Sequence, residues 1–281
     1  MLSSLTSGVS GLESFQQDMD VIGNNIANLN TTGYKASTVN FAAAFSNTLH
    51  MPSGSTSTTS GSNSVQVGTG VSIDSIDNNW SQGALSTTGI PTNLAISGNG
   101  FFQVKDTVSG ATYVSRAGDF GTDANGYLVT NSGERVQGYS DGALSTLGDI
   151  KIDANDPSIT DTSPMTGFSI DGQGRINVQL ADGNSFVRGQ LLLQDFADPQ
   201  KLINEGGNLF SNMGQAGPLT AAAAPGSSGL GKIQSGALEL SNVDLSNEMA
   251  NLITAQRAFE ANSKIITTSD EALQTVVNMK H

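Results

Sequence analysis

Cysteine is absent from this 281-residue chain, and cations, histidine and tryptophan are scarce: 12 Lys and Arg, two His and one Trp. Without thiols there is no disulfide framework, no thiolate zinc site and no cysteine nucleophile. The two histidines, His50 beside a low-complexity stretch and His281 at the last position, offer little for a His-based triad or metal site. G-x-S-x-G elbows and the G-x-x-x-x-G-K-[ST] phosphate cradle are also missing. Nothing points to a catalytic, cofactor-binding or metal site. The formal charge of -13 disfavours phosphate backbones and anionic lipid, so no nucleic-acid partner is expected. No apolar run reaches the length of a spanning helix, which argues against membrane insertion. The first cation is Lys35, so a positive n-region is lacking and no cleaved signal peptide is expected.

What the chain does have is a helical pattern at each end. Leu2, Leu5, Val9 and Leu12, then Phe15, Met19, Ile22, Ile26 and Leu29, recur in steps of three and four with one register shift. As a helix this stripe would span about 40 Å, long and narrow for a core helix. Toward the C-terminus Leu245, Leu252, Phe259, Ile266 and Leu273 repeat every seven residues, and Met249, Ala255 and Val276 add to the seam. Asp244, with Ser241 and Asn242 nearby, is placed to cap that helix, and Arg257, Lys264 and Lys280 lie toward the end where its dipole favours cations.

Between these ends the pattern changes to short β-branched runs at 71–76, 94–96, 101–104, 112–115, 127–130 and 187–193, separated by Gly, Asn and Asp. Asn125-Gly126 suits a type I′ hairpin, and Asn99-Gly100, Ser132-Gly133, Asp171-Gly172 and Asp182-Gly183 mark other reversals. Residues 53–64 and 221–229 are built from small and polar residues and are expected to be flexible. The fold class is therefore α+β, with helices at both ends and a central all-β domain; pairing of the two helices as a coiled-coil-like hairpin is one of two ways to cover their stripes. The expected boundaries are 1–35 with 236–281 for the helical domain, 36–70 for an extended connector carrying the apolar Val39, Phe41, Phe45 and Leu49, and 71–235 for the β domain.

Carboxylates at Asp153, Asp156, Asp161, Asp171 and Asp182 miss the EF-hand spacing and read as turn residues. Trp80 with Phe101, Phe102, Tyr113 and Phe120 either lines a carbohydrate groove, with Asp77 or Asp119 as its acids, or forms an aromatic core; core packing is favoured. The terminal stripes must be covered, either by each other or by further molecules, and head-to-tail contacts that do not close generate filaments.

Residues 24–35, NNIANLNTTGYK, resemble the N-terminal signature of the bacterial flagellar rod and hook proteins. The stretch from Ser235, SGALELSNVDLSNEMANLITAQRAFEANSKIITTSDEALQTVVN, resembles the matching end of the same family, as do WSQGALSTTGIPTNLAISGNGFFQV from Trp80 and YVSRAGDFGTDANGYLVTNSGERVQGY from Tyr113. The resemblance implies a structural subunit and no enzyme, exported through the flagellar type III apparatus and polymerising into a hollow helical tube in the flagellar hook or basal body. Adjoining rod, hook-cap and hook-filament junction proteins would be its neighbours.

The resemblance also marks Asn24, Asn25, Asn28, Asn30, Gly33, Tyr34, Lys35, Asn242, Asp244, Gln256, Arg257, Asn262, Ser263 and Lys264 as signature positions, whose polar side chains are expected to reach neighbouring subunits. The stripe residues Leu5, Val9, Leu12, Phe15, Met19, Ile22, Ile26, Leu29, Leu245, Met249, Leu252, Phe259, Ile266 and Leu273 are the expected subunit interface. Only 28 residues separate Tyr139 from Phe168, too few for the outer domain that hook proteins insert there. That brevity resembles distal rod proteins, whereas the SNVDL and SKIITTSDE wording resembles the hook; the hook, a universal joint transmitting motor torque, is the first expectation and the distal rod the second. A secreted carbohydrate-binding β protein with a helical stalk is a remote third.

Overall fold

A computed structural model describes residues 2–52, 54, 61, 63–154, 163–219 and 221–279. Contacts divide the chain into two units, neither contiguous in sequence: a terminal unit of residues 1–27, 36–79 and 243–281, and a central unit of residues 28–35 and 80–242.

In the terminal unit the two long apolar repeats form α1 (Leu2–Ala27) and α2 (Leu245–Asn278). The Asp244 carboxylate caps α2, accepting from the Ser246 amide at 2.9 Å. Four strands accompany the helices: β1 (Ser37–Ala43), β2 (Ser46–His50), β3 (Val65–Gly68) and β4 (Val71–Asn78). β1 pairs antiparallel with β4 from Ser37 opposite Asn78 to Ala43 opposite Val71, with a bulge between Asn40 and Phe41. β2 pairs with β3.

Two boundaries differ from the sequence reading. The segment expected as a connector supplies β1, β2 and β3, because the alternating residues of 37–43 find their partner in 71–78, beyond the low-complexity stretch. Residues 236–242, expected with the helix, belong to the central unit. Much of the 53–64 stretch lies outside the described residues.

The central unit contains β5 (Leu85–Thr87), β6 (Leu94–Ser97), β7 (Phe101–Lys105), β8 (Thr112–Ser115), β9 (Gly121–Thr122), β10 (Leu128–Val129), β11 (Arg135–Tyr139) and β12 (Leu147–Asp149). These are followed by β13 (Met165–Ile170), β14 (Arg175–Leu180), β15 (Ser185–Leu191), β16 (Leu193–Gln194), β17 (Ile203–Gly206), β18 (Leu209–Ser211), β19 (Lys232–Ser235) and β20 (Ala237–Glu239). A large antiparallel sheet runs β13-β14-β15-β11-β7-β8-β18-β17, with β9, β10, β12 and β16 attached to it. β19 pairs with β6 and β20 with β5.

Successive side chains on a strand face opposite ways, and β7 uses both. Phe102 and Val104 enter a core with Leu94, Ile96, Leu128, Val136, Ile176, Val178 and Leu191. Phe101 enters a second core with Val114, Phe196, Leu202 and Phe210. Trp80 packs against that second core, edge-on to Phe101 and Phe210 with centroids 5.2 Å away in each case.

One turn expectation and one expectation of flexibility are corrected. Asn125-Gly126 is not a type I′ turn, since only Gly126 has positive φ. The Asp123 carboxylate instead accepts from the Asn125 and Tyr127 amides and bends the chain from outside the dipeptide. Residues 221–229 are held in place: Ala223 exchanges both backbone hydrogen bonds with Leu193, and Pro225 is buried. Alanine and proline bring little entropy to lose, so a modest patch suffices to fix them.

Candidate functional site

On α1, Ile22 is buried and Leu5, Leu12, Phe15, Met19 and Ile26 are half-buried, while Val9 is exposed. On α2, Leu252, Phe259, Ile266 and Leu273 are half-buried, and Leu245 and Met249 are exposed. The helices pack closely where α1 carries glycine: a Cβ at Gly8 would sit 3.3 Å from Ile266 Cγ1, and one at Gly11 would sit 2.8 Å from Asn262 Nδ2. Leu29 lies outside this seam. The helix ends at Ala27, where Asn28 turns the chain by accepting from the Thr31 amide, and Leu29 falls in the central unit. A seam that stays half-exposed within one molecule is apolar surface left to be covered. Leu245, Met249 and Ile253, spaced by four, form an exposed stripe on α2, and the sequence reading overlooked Ile253 because it lies off the sevenfold repeat.

The signature polar residues sort into two groups. Several are engaged within one molecule. Asn25 is buried in the terminal unit, donating to the Ser37 carbonyl at 2.8 Å and to Glu248 Oε1 at 3.2 Å while accepting from the Ser37 amide at 2.9 Å, so one amide ties α1, β1 and α2. Asn28 accepts from the Thr31 hydroxyl, and Asn242 donates to the carbonyl and hydroxyl of Ser81. Asn262 lies against Gly11, and Ser263 and Tyr34 are half-buried. Asn24, Asn30, Gln256, Arg257 and Lys264 are exposed.

Gly33 and Lys35 belong to an arrangement in the central unit that draws all four resembling segments together. Gly33 has φ +68°, and its amide donates to the Glu239 carbonyl at 2.8 Å. Nearby, the Lys35 ammonium meets Glu239 Oε1 at 2.7 Å and Arg116 Nε meets Glu239 Oε2 at 2.8 Å, with all three side chains almost wholly buried. Lys35 also donates to the Ser81 carbonyl, Arg116 to the carbonyls of Gly98 and Gly100, and the Gly83 amide to Glu239. Burial by itself would raise the Glu239 carboxyl; the Arg116 charge, the Lys35 hydrogen bond and charge, and the Gly83 amide outweigh it and hold the group below the usual glutamate range. One anion serves two cations, and burial pushes the Lys35 ammonium down. A cavity of about 510 Å³ beside this triad is lined by Lys35, Trp80, Phe101, Arg116, Asp195 and Phe196 among others. Its cations are committed to Glu239 and to backbone carbonyls, which makes it a structural joint.

Arg116 and Glu239 were missed at the sequence level. Their signal was rarity: in a chain with 13% charged residues, each stands alone among small or apolar neighbours, and Glu239 shares the inward face of β20 with Ala237. Gly33→Ala is expected to destabilise the central unit by about 1–3 kcal/mol, seen as a lower thermal midpoint, because its Cβ would lie 2.6 Å from the Ala117 amide nitrogen at an unfavourable φ.

Comparison with known families places these features. Residues 5–35 match the "Flagella basal body rod protein" model, 95–178 the "Flagellar hook protein FlgE/F/G D1 domain" and 234–279 the "Flagellar basal body rod FlgEFG protein C-terminal". Over 280 residues, covering 100% of both chains, the sequence is 43% identical to the flagellar basal-body rod protein FlgG of Bacillus subtilis. The chain belongs to the flagellar rod and hook protein family. A second relative, the flagellar basal-body rod protein FlgG of Caulobacter vibrioides, is 35% identical over 284 residues, covering 99% of this chain and 100% of the relative. The flagellar hook protein FlgE of Treponema pallidum is 43% identical over 182 residues, covering 64% of this chain and 38% of its own. This family member is thus a structural subunit of the bacterial flagellar axial assembly, in the basal body or hook, and the triad joins three of its shared sequence motifs at single atoms.

Proposed function

We propose that this chain is a rod subunit of the flagellar basal body, polymerising through its terminal unit into a hollow tube that carries torque. The supporting observation is coverage: rod relatives align from end to end, whereas the hook relative shares 64% of this chain and 38% of itself. This reverses the order expected from the SNVDL and SKIITTSDE wording, which lies in a C-terminal region whose family model spans rod and hook proteins alike. The half-exposed seam supports assembly, since α1 and α2 cover each other only in part. Neighbouring rod and hook subunits are its partners in this reading, and the type III apparatus its export route. Trp80, packed edge-on in an aromatic core, gives no support to carbohydrate binding.

Immunogold labelling of isolated basal bodies tests the reading. Label confined to the shaft within the outer-membrane ring is the expected result. Label beyond the ring would return the hook assignment, and no label on either would overturn both.

A further inference from the structure

The terminal unit holds ten acidic residues against Arg257, Lys264 and Lys280. Every ion pair among the described residues lies in the central unit, and Arg257 and Lys264 make none. On the same unit an apolar groove of about 360 Å³ runs between α1, β1 and α2, floored by Phe15, Val39 and Phe41 and flanked by Asp18 and Glu248. Asp18 has no hydrogen-bond partner among the described residues, and Glu248 accepts from Asn25 alone.

Taking the assembly reading as given, we propose that this groove receives the Arg257–Lys264 face of α2 from a second copy of the chain. The apolar floor suits the aliphatic stem of an arginine and the flanking carboxylates suit its guanidinium, a combination that neither water nor an apolar side chain would satisfy. Burial raises the Asp18 carboxyl; it also raises Glu248, which the Asp18 and Asp244 charges push further up against the Asn25 hydrogen bond, so an incoming cation relieves repulsion already present.

Helix geometry keeps the match between molecules. Arg257 follows Glu248 by nine residues and Lys264 by sixteen, which puts them about 180° and 160° around α2 from it. One face of the helix therefore lines the groove while the opposite face carries the cations, and α2 cannot satisfy its own charges across its width. A contact between unlike faces of identical copies is heterologous, the kind that propagates into an open helical polymer.

The absence of native cysteine allows a direct test with the full chain. Thr38→Cys on the groove rim and Ala261→Cys beside the cation face are made as single variants, mixed, concentrated and oxidised, and tube formation is followed by electron microscopy. The expected result is a mixed disulfide dimer that neither variant gives alone. R257E with K264E is expected to abolish the dimer and cut tube yield at least tenfold while leaving the helical circular dichroism unchanged, since both side chains are exposed; adding D18K should restore part of the yield. Undiminished tubes from R257E/K264E, or the absence of the cross-link in tubes that do form, overturns this contact and leaves the assembly reading standing. If the unsubstituted chain forms no tubes at any concentration, the assembly reading falls and the contact falls with it.

Discussion

Glu239→Ala is expected to lower the stability of the central unit by about 3–5 kcal/mol, the range for removing one partner of a buried ion pair. The side chain is 1% exposed and stands between the Lys35 ammonium and the Arg116 guanidinium, so its loss leaves two cations buried without an anion. Lys35→Met should cost less, because Arg116 and Glu239 then remain as a balanced pair. Urea denaturation followed by Trp80 fluorescence measures both, since the single tryptophan belongs to this unit. The pH dependence has a fixed sign: Glu239 is held below its ordinary pKa, so its contribution is complete above the unfolded value of about 4.3 and is lost as pH falls through the depressed folded value. The acid limb of the stability curve should therefore be shallower in Glu239→Gln than in the parent. Equal midpoints for Glu239→Ala and the parent would mean that the triad is not structural.

Leu252→Asp combined with Phe259→Asp is expected to reduce tube assembly at least a hundredfold. Both side chains are half-buried on the face of α2 that shares the sevenfold repeat, and each Asp would place a carboxylate against the apolar stripe of α1. Neither residue contributes to the two cores of the central unit, so Trp80 fluorescence should stay native while helical ellipticity falls. Tubes of parental length from the double variant would show that the seam does not carry assembly.

The helices were legible because a sevenfold apolar repeat is local and survives any tertiary context, and the Asp244 cap could be read from its position. The pairing of β1 with β4 was hidden by distance: alternation in 71–78 shows a strand, but nothing local names 37–43 as its partner across an intervening low-complexity stretch. For the same reason the central unit took residues 28–35 and 236–242 from segments that looked like extensions of the helices. Signature residues were visible as a pattern while their roles were not. Asn25 reads as a polar helix position until Ser37 and Glu248 are placed around it, and Lys35 reads as a surface cation until Arg116 and Glu239 converge on the same spot.

The discontinuity of the two units imposes an order on biosynthesis. α1 is made before α2, with 217 residues between Ala27 and Leu245. At about 5–20 residues per second the first helix waits roughly 10–45 s for its mate. Most of a helix's stability in a protein comes from packing of its apolar face, so during that interval the N-terminal stripe lacks the helix that covers it. A chain broken off anywhere before residue 245 therefore lacks α2, and its α1 is left without the partner that completes the terminal unit.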